Sequence, residues 1–126
     1  MAETIKDPAS SRQAILTFHL ADRIKAEILL ASRLLDSVAQ LQGQELEGAN
    51  RLFLVFLQGL EMEINLAQTQ INDPEMVRVS TVMRGLVGMA DSRMYQEMQS
   101  HFTWMISVMA TFAQRAMEYL ITEKLL

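Results

Sequence analysis

Cysteine is absent from this sequence. Disulfides, zinc–thiolate centres and thiol catalysis are therefore excluded, since each needs a sulfur that no other side chain supplies. Proline occurs twice and glycine five times, too few turn-forming residues for a fold built from many short strands. No apolar–polar alternation of the β type persists anywhere. A basic excess is missing as well: 11 Lys and Arg stand against 15 Asp and Glu, for a net charge of −4. Nucleic-acid binding needs a concentrated cationic face to displace counterions, and the sequence offers none. Long hydrophobic runs are also lacking. The longest uncharged stretch, Met98–Gln114, is interrupted by Gln99, Ser100, His101, Thr103, Ser107, Thr111 and Gln114. A spanning helix wants ~20 mostly apolar residues, so no membrane span is expected. MAETIKDPASSRQ has no apolar core of the signal-peptide kind, and the expected setting is cytoplasmic.

What remains is helical pattern. Half of the 126 residues are hydrophobic, enough for one domain to bury a core without a covalent staple. Asp7-Pro8 and Ser10-Ser11 open a first helix running to about Leu41, with Ile24, Ile28, Ala31, Leu35 and Val38 stepping by four and three along one face. Gln42-Gly43-Gln44 interrupts it. A second helix runs from about Glu45 to Ile71, on the stripe Leu46, Ala49, Phe53, Phe56, Leu60, Ile64, Ala67 and Ile71. Asn72-Asp73-Pro74 stops it and restarts the chain, with Asp73 as cap and Pro74 at the first helical position. A third helix extends to about Met89, weakened by Gly85 and Gly88. Asp91 caps a fourth, which reaches about Lys124. The third and fourth are read either as separate helices or as one kinked rod. The expected fold is all-α, a single-domain antiparallel up-down bundle of four helices, with residues 1–10 a disordered or extended arm.

The lengths predict an unequal bundle. The third helix is about half as long as the fourth, whose last ~18 residues, ~27 Å at 1.5 Å per residue, run past the start of the third. Those residues stay apolar. At ~100° per residue, Met94, Met98, Phe102, Met105, Met109, Phe112, Ala116 and Leu120 line one face, while Ser100, Thr103, Ser107 and Thr111 line the back. An uncharged hydroxyl face suits the close approach of another helix better than it suits bulk water. In the second helix, Leu52–Leu57 is apolar all round. The sequence therefore predicts a homodimer with the fourth helix and the start of the second in its interface, and another helical protein as the alternative partner.

Candidate chemistry is sparse. Pairing the first two helices about Gly43 puts Arg23 level with Glu63, so Arg23, Glu27 and Glu63 are expected to form an ion-pair cluster. A metal site from Glu27, Glu63 and His101 is the competing reading, but the Glu-x-x-His repeats of di-iron bundles are absent. His19, in HLADRIK, lies near the edge of a polar face without the lysine and small residues that follow a phosphoaccepting histidine in helical phosphotransfer modules. No nucleophile elbow or phosphate-binding glycine loop occurs, and no cofactor is expected. Nine of the ten methionines fall between Met62 and Met117. They pack a core or line an adaptable groove for an amphipathic helix or apolar ligand. The expected function is a non-catalytic interaction module, a homodimeric scaffold or adaptor. A chaperone or carrier with a Met-lined groove is the alternative, and a carboxylate–histidine metal protein the third reading.

Overall fold

Among residues 5–123, which the computed structural model describes, the chain folds into four helices: α1 (Ser11–Val38), α2 (Gly43–Gln70), α3 (Pro74–Asp91) and α4 (Tyr95–Thr122). α1 packs against α2 and α4, and α3 packs against the same two. The four therefore close an all-α, up-down-up-down bundle. Residues 1–4 and 124–126 lie outside the described chain, including Leu125 and Leu126 at the end of the apolar run.

Local chemistry sets the boundaries. Ser10 is extended, and its hydroxyl accepts from the amide of Gln13 at 3.1 Å, opening α1. Asp73 does the same for α3 with Pro74 behind it, accepting from the amide of Glu75 at 2.9 Å. Between α3 and α4 the chain reverses through Arg93, whose φ of 59° is left-handed. The amide of Met94 donates to the Met89 carbonyl at 2.8 Å and that of Arg93 to Ala90 at 3.1 Å. This is the paired closure that ends a helix on a left-handed residue, here achieved without glycine. The third and fourth helices are thus separate. Asp91 ends α3 rather than capping α4, and α3 passes through Gly85 and Gly88 without a break.

The core lies between the four helices. Ile24 and Ile28 of α1, Leu57, Leu60 and Ile64 of α2, Met76, Met83 and Leu86 of α3, and Met98, Phe102 and Met105 of α4 are all 2% exposed or less. At the end where α3 starts, α4 outruns it as expected, but the remaining helices do not stand alone there. Ile5, upstream of α1, is 2% exposed and belongs to the same core as Phe112 and Ala113. Two anchors hold it: the amide of Lys6 donates to Asp73 Oδ2 at 3.0 Å, and the Arg115 guanidinium donates to the Ile5 carbonyl. Asp73 thus caps α3 with one carboxylate oxygen and fastens the arm with the other. Beyond Ile5, Ala14 of α1 covers Ala116 and Leu120, with Phe18 and Tyr119 alongside. The arm is docked from Ile5 onward, and the inner stripe of α4 is covered by this chain itself as far as Leu120, with Ile121 left open at 58%.

Candidate interaction surface

The methionine face of α4 is interior. Met98, Phe102, Met105, Met109 and Ala116 are fully buried, and Phe112 and Leu120 are 3% and 4% exposed. Only Met94, before the helix, is open, at 43%. The groove expected along Met98, Met105 and Met109 is filled by α1, α2 and α3, so these residues are not available to a partner or an apolar ligand. The correction has a simple cause. Helix lengths alone leave the end of α4 uncovered, and the non-helical Ile5, with Ala14 of α1, covers its inner stripe.

The back of α4 is wet. Ser100, Thr103 and Ser107 are exposed and Thr111 is half-buried. Their hydroxyls have a use that needs no neighbouring helix: Thr103 donates to the Gln99 carbonyl at 3.1 Å and Thr111 to the Ser107 carbonyl at 3.0 Å. Such back-bonding one turn upstream satisfies a hydroxyl on a solvated helix.

Although Ile15 of α1 and Ile121 of α4 are also open at 58% each, the most exposed apolar row is on α2. Its core face (Asn50, Phe53, Leu57, Leu60, Ile64, Ala67) is closed by the bundle, yet the opposite face carries Leu52, Val55, Met62 and Leu66, exposed at 74%, 65%, 66% and 67%. Their positions, with Gly59 between them, advance by 3, 4, 3 and 4 residues. That is the spacing of a seam that packs against another helix. A Cβ built on Gly59 would meet nothing within 4 Å, so no packing inside this chain requires glycine there, although glycine mid-helix costs about 0.5–1 kcal/mol relative to alanine. The seam is also bare of free charge. Between Leu52 and Gln70 the only charged residues are Glu61 and Glu63, held by Arg84 at 3.9 Å and by Arg23 at 2.6 Å. Two clefts of about 250 Å³ lie along the α1–α2 groove. One is edged by Leu52 with Leu34, Val38, Leu41 and Phe53; the other is edged by Leu66 with Leu20, Ile24 and Ala67. The sequence marks Leu52–Leu57 as apolar on every side, but the continuation to Met62 and Leu66 escapes a reading that follows only the stronger, inward stripe.

The structure brings Arg23, Glu27 and Glu63 together. Arg23 Nε lies 3.2 Å from Glu27 Oε1 and its Nη2 lies 2.6 Å from Glu63 Oε1. The Arg23 pKa is raised, chiefly by the hydrogen bond to Glu27 and then by the charge of Glu63. Glu27 is pushed up, first by partial desolvation and then by its contact with Glu63, with Arg23 acting in the opposite sense. The cluster sits at the edge of the groove below Leu66 and ties α1 to α2. Among the described residues no three His, Asp or Glu side chains gather as a metal-binding group.

Polar side chains inside the bundle act as fasteners. Asn50, 4% exposed, donates to the Ala90 carbonyl at 3.2 Å and accepts from the Tyr95 hydroxyl at 2.6 Å, joining α2 to both ends of the α3–α4 turn. Ser32 donates to Gln99 at 3.0 Å, and Gln99 in turn donates to Asp36 at 3.1 Å, fixing α1 against α4. Neither group was singled out from sequence, because each partnership spans tens of residues. A recess of about 380 Å³ lies under the arm and is lined by Lys6, Asp7, Gln13, Thr17, Asp73 and Arg115, and a wider one of about 490 Å³ lies between Ile15, Phe18, Met117 and Leu120. Of the charged groups under the arm, Asp73 and Arg115 already serve it. Arg115 Nη1, besides binding Ile5, lies 3.8 Å from Asp7. His101, half-buried on α4, is not drawn into any of these groups, and no described helix is long and apolar enough to cross a membrane.

No protein-family model matches the chain, and neither a curated protein nor a solved structure is significantly similar to it.

Proposed function

We propose that this chain is a non-catalytic protein-interaction module, a rigid four-helix scaffold that forms a homodimer through the outer face of α2. One observation carries the reading: Leu52, Val55, Met62 and Leu66 stand on a single seam, each at least 65% exposed, on a helix whose other face is already buried. Contiguous exposed apolar surface of that kind marks an interaction site, and depletion of charge at its centre is what distinguishes interface cores from ordinary surface. The fasteners on the inner face support the role of scaffold, since a partner can only read a seam that is held straight.

Light scattering at tens of micromolar tests the proposal. The expected mass is twice the 14.3 kDa of one chain. The double substitution Leu52→Glu/Leu66→Glu is expected to return the single-chain mass while leaving the helical circular dichroism unchanged. A wild-type chain that stays at the mass of one copy across that range defeats the reading.

A further inference from the structure

We infer that two copies pair α2 against α2 in antiparallel orientation, about a two-fold axis passing through Gly59. The inference rests on the proposal that the outer α2 seam is the contact surface, and adds the orientation and register that the seam dictates.

The seam is nearly palindromic. Counted from Gly59, leucines stand at −7 and +7 (Leu52, Leu66), and Val55 and Met62 stand at −4 and +3. A closed dimer uses the same patch twice, with residue i meeting j and j meeting i. Turning one copy about Gly59 sets Leu52 against the other copy's Leu66, and Val55 against its Met62. The layers either side of the axis are then equal in bulk. Parallel pairing would instead put valine on valine and methionine on methionine, a thin layer next to a thick one.

Gly59 is the residue that allows the approach. It lacks a side chain on an exposed helix face where nothing in the chain fills the space of a Cβ. With the glycines facing each other on the axis, the helices can close until their flanking leucines reach past one another. Each leucine then finds a cleft. The incoming Leu66 arrives beside Leu52, at the cleft walled by Leu34, Val38 and Leu41. The incoming Leu52 arrives beside Leu66, at the cleft walled by Leu20, Ile24 and Ala67.

Charge selects the orientation. The first turns of α2 carry Glu45 and Glu47, both exposed, whereas its last turn, Leu66–Gln70, has no charge at all. Parallel pairing stacks the exposed Glu45 and Glu47 against their own copies, and like charges in register oppose association. Antiparallel pairing carries the acidic end to the neutral Thr69–Gln70 end and sets the two helix dipoles in opposition, the favourable arrangement side by side. Each copy bears a net charge of −4, so added salt should strengthen the dimer by screening the repulsion between the two bodies. The seam from Leu52 to Gln70 is only ~27 Å long. That places it among small interfaces, below about 1,200 Å² in total, and the dimer should dissociate on dilution.

Because the chain has no cysteine, single introduced thiols report the register without background. Helix axes ~8–10 Å apart, less two Cα radii of ~2.3 Å, leave facing Cα atoms about 3.4–5.4 Å apart, a range that overlaps the ~4.4–6.8 Å of a disulfide. Mild oxidation of Gly59→Cys is expected to give a covalent dimer. Leu52→Cys alone should not cross-link, since antiparallel pairing holds its two copies ~21 Å apart, while Leu52→Cys/Leu66→Cys should. The double variant also keeps the test sound if cysteine at 59 disturbs the close approach. Cross-linking of Leu52→Cys alone overturns the antiparallel pairing and leaves the α2 surface standing. A dimer in which neither Gly59→Cys nor the double variant cross-links also overturns it. A single-copy mass for the unmodified chain, or a dimer that survives Leu52→Glu/Leu66→Glu, overturns the pairing and the surface together.

Discussion

α2 and α4 are helices of equal length, each with an apolar stripe and a second face of unusual composition, and they resolve those faces in opposite ways. On α4 the stripe is long and rich in methionine, and all of it is inside. Its back carries hydroxyls that water can serve, two of which, on Thr103 and Thr111, bond the helix's own carbonyls. On α2 the inner stripe is no richer than that of α4, but the back carries leucine, valine and methionine, which have no such internal remedy. The lesson concerns what counts as unsatisfied surface. A neutral polar face looks like an interface only while its hydroxyls are assumed to lack partners. An apolar face on an already buried helix stays exposed until another molecule covers it. The apolar face available to a partner therefore lies on the outside of α2 rather than on the stripe of α4, and the sequence marks only its first turn and a half.

The contrast can be broken most forcefully inside the bundle. Truncating Phe102 to alanine on the buried face of α4 should cost about 3–5 kcal/mol in urea unfolding, through lost burial and a residual cavity. Truncating Leu66 to alanine on the outer face of α2 should change the single-copy stability by less than about 0.5 kcal/mol. Similar losses at both positions would mean that the seam is already covered within one chain. The cover on α4 can be tested next. Ile5→Ala should lower stability by about 2 kcal/mol, the value of one buried aliphatic side chain. An unchanged urea midpoint would show that the arm contributes nothing to closing that end. The back of α4 offers a smaller, sharper test. Thr103→Lys and Ser107→Lys, both on the solvated side, should leave the light-scattering mass of the wild-type chain unchanged and shift the melting temperature little. Loss of a dimer on either substitution would restore α4 as the interface.

The smallest effect is expected at the cluster below Leu66. Folding raises the pKa of Glu27, mainly by partial desolvation and the nearness of Glu63. The folded chain therefore holds that proton more tightly than the unfolded one. The linked contribution is fully present at pH values below the ordinary glutamate range and is lost as the pH rises through the folded value. Wild type should accordingly lose melting temperature relative to Glu27→Gln between pH 4 and pH 7. A difference that is constant, or that grows in favour of wild type, would show that the Arg23 pair governs the site instead.

Much of the architecture was legible because local rules wrote it. Asp73 before Pro74 is a cap that needs no tertiary help, and the break at Gln42–Gln44 fixed the pairing register well enough to bring Arg23 level with Glu63. The separation of α3 from α4 was not legible, since it turns on Arg93 adopting a left-handed conformation that sequence associates with glycine. Gly85 and Gly88 read as weakening the third helix, yet both sit in open space within a continuous α3. Ile5 was invisible for a different reason. One apolar residue in an irregular arm has no period to betray it, and its value depends on Asp73 and Arg115, 68 and 110 residues away.

By itself the sequence determined an all-helical chain, the caps before α1 and α3 and the side each helix would most strongly bury, because hydrophobic period and cap chemistry act within a few residues. Only the tertiary structure decided which apolar surface was left over. A stripe is covered or bare according to what stands beside it, and here Ile5 from the arm and Ala14 of α1 covered the inner stripe of α4 while nothing described covered the outer row of α2.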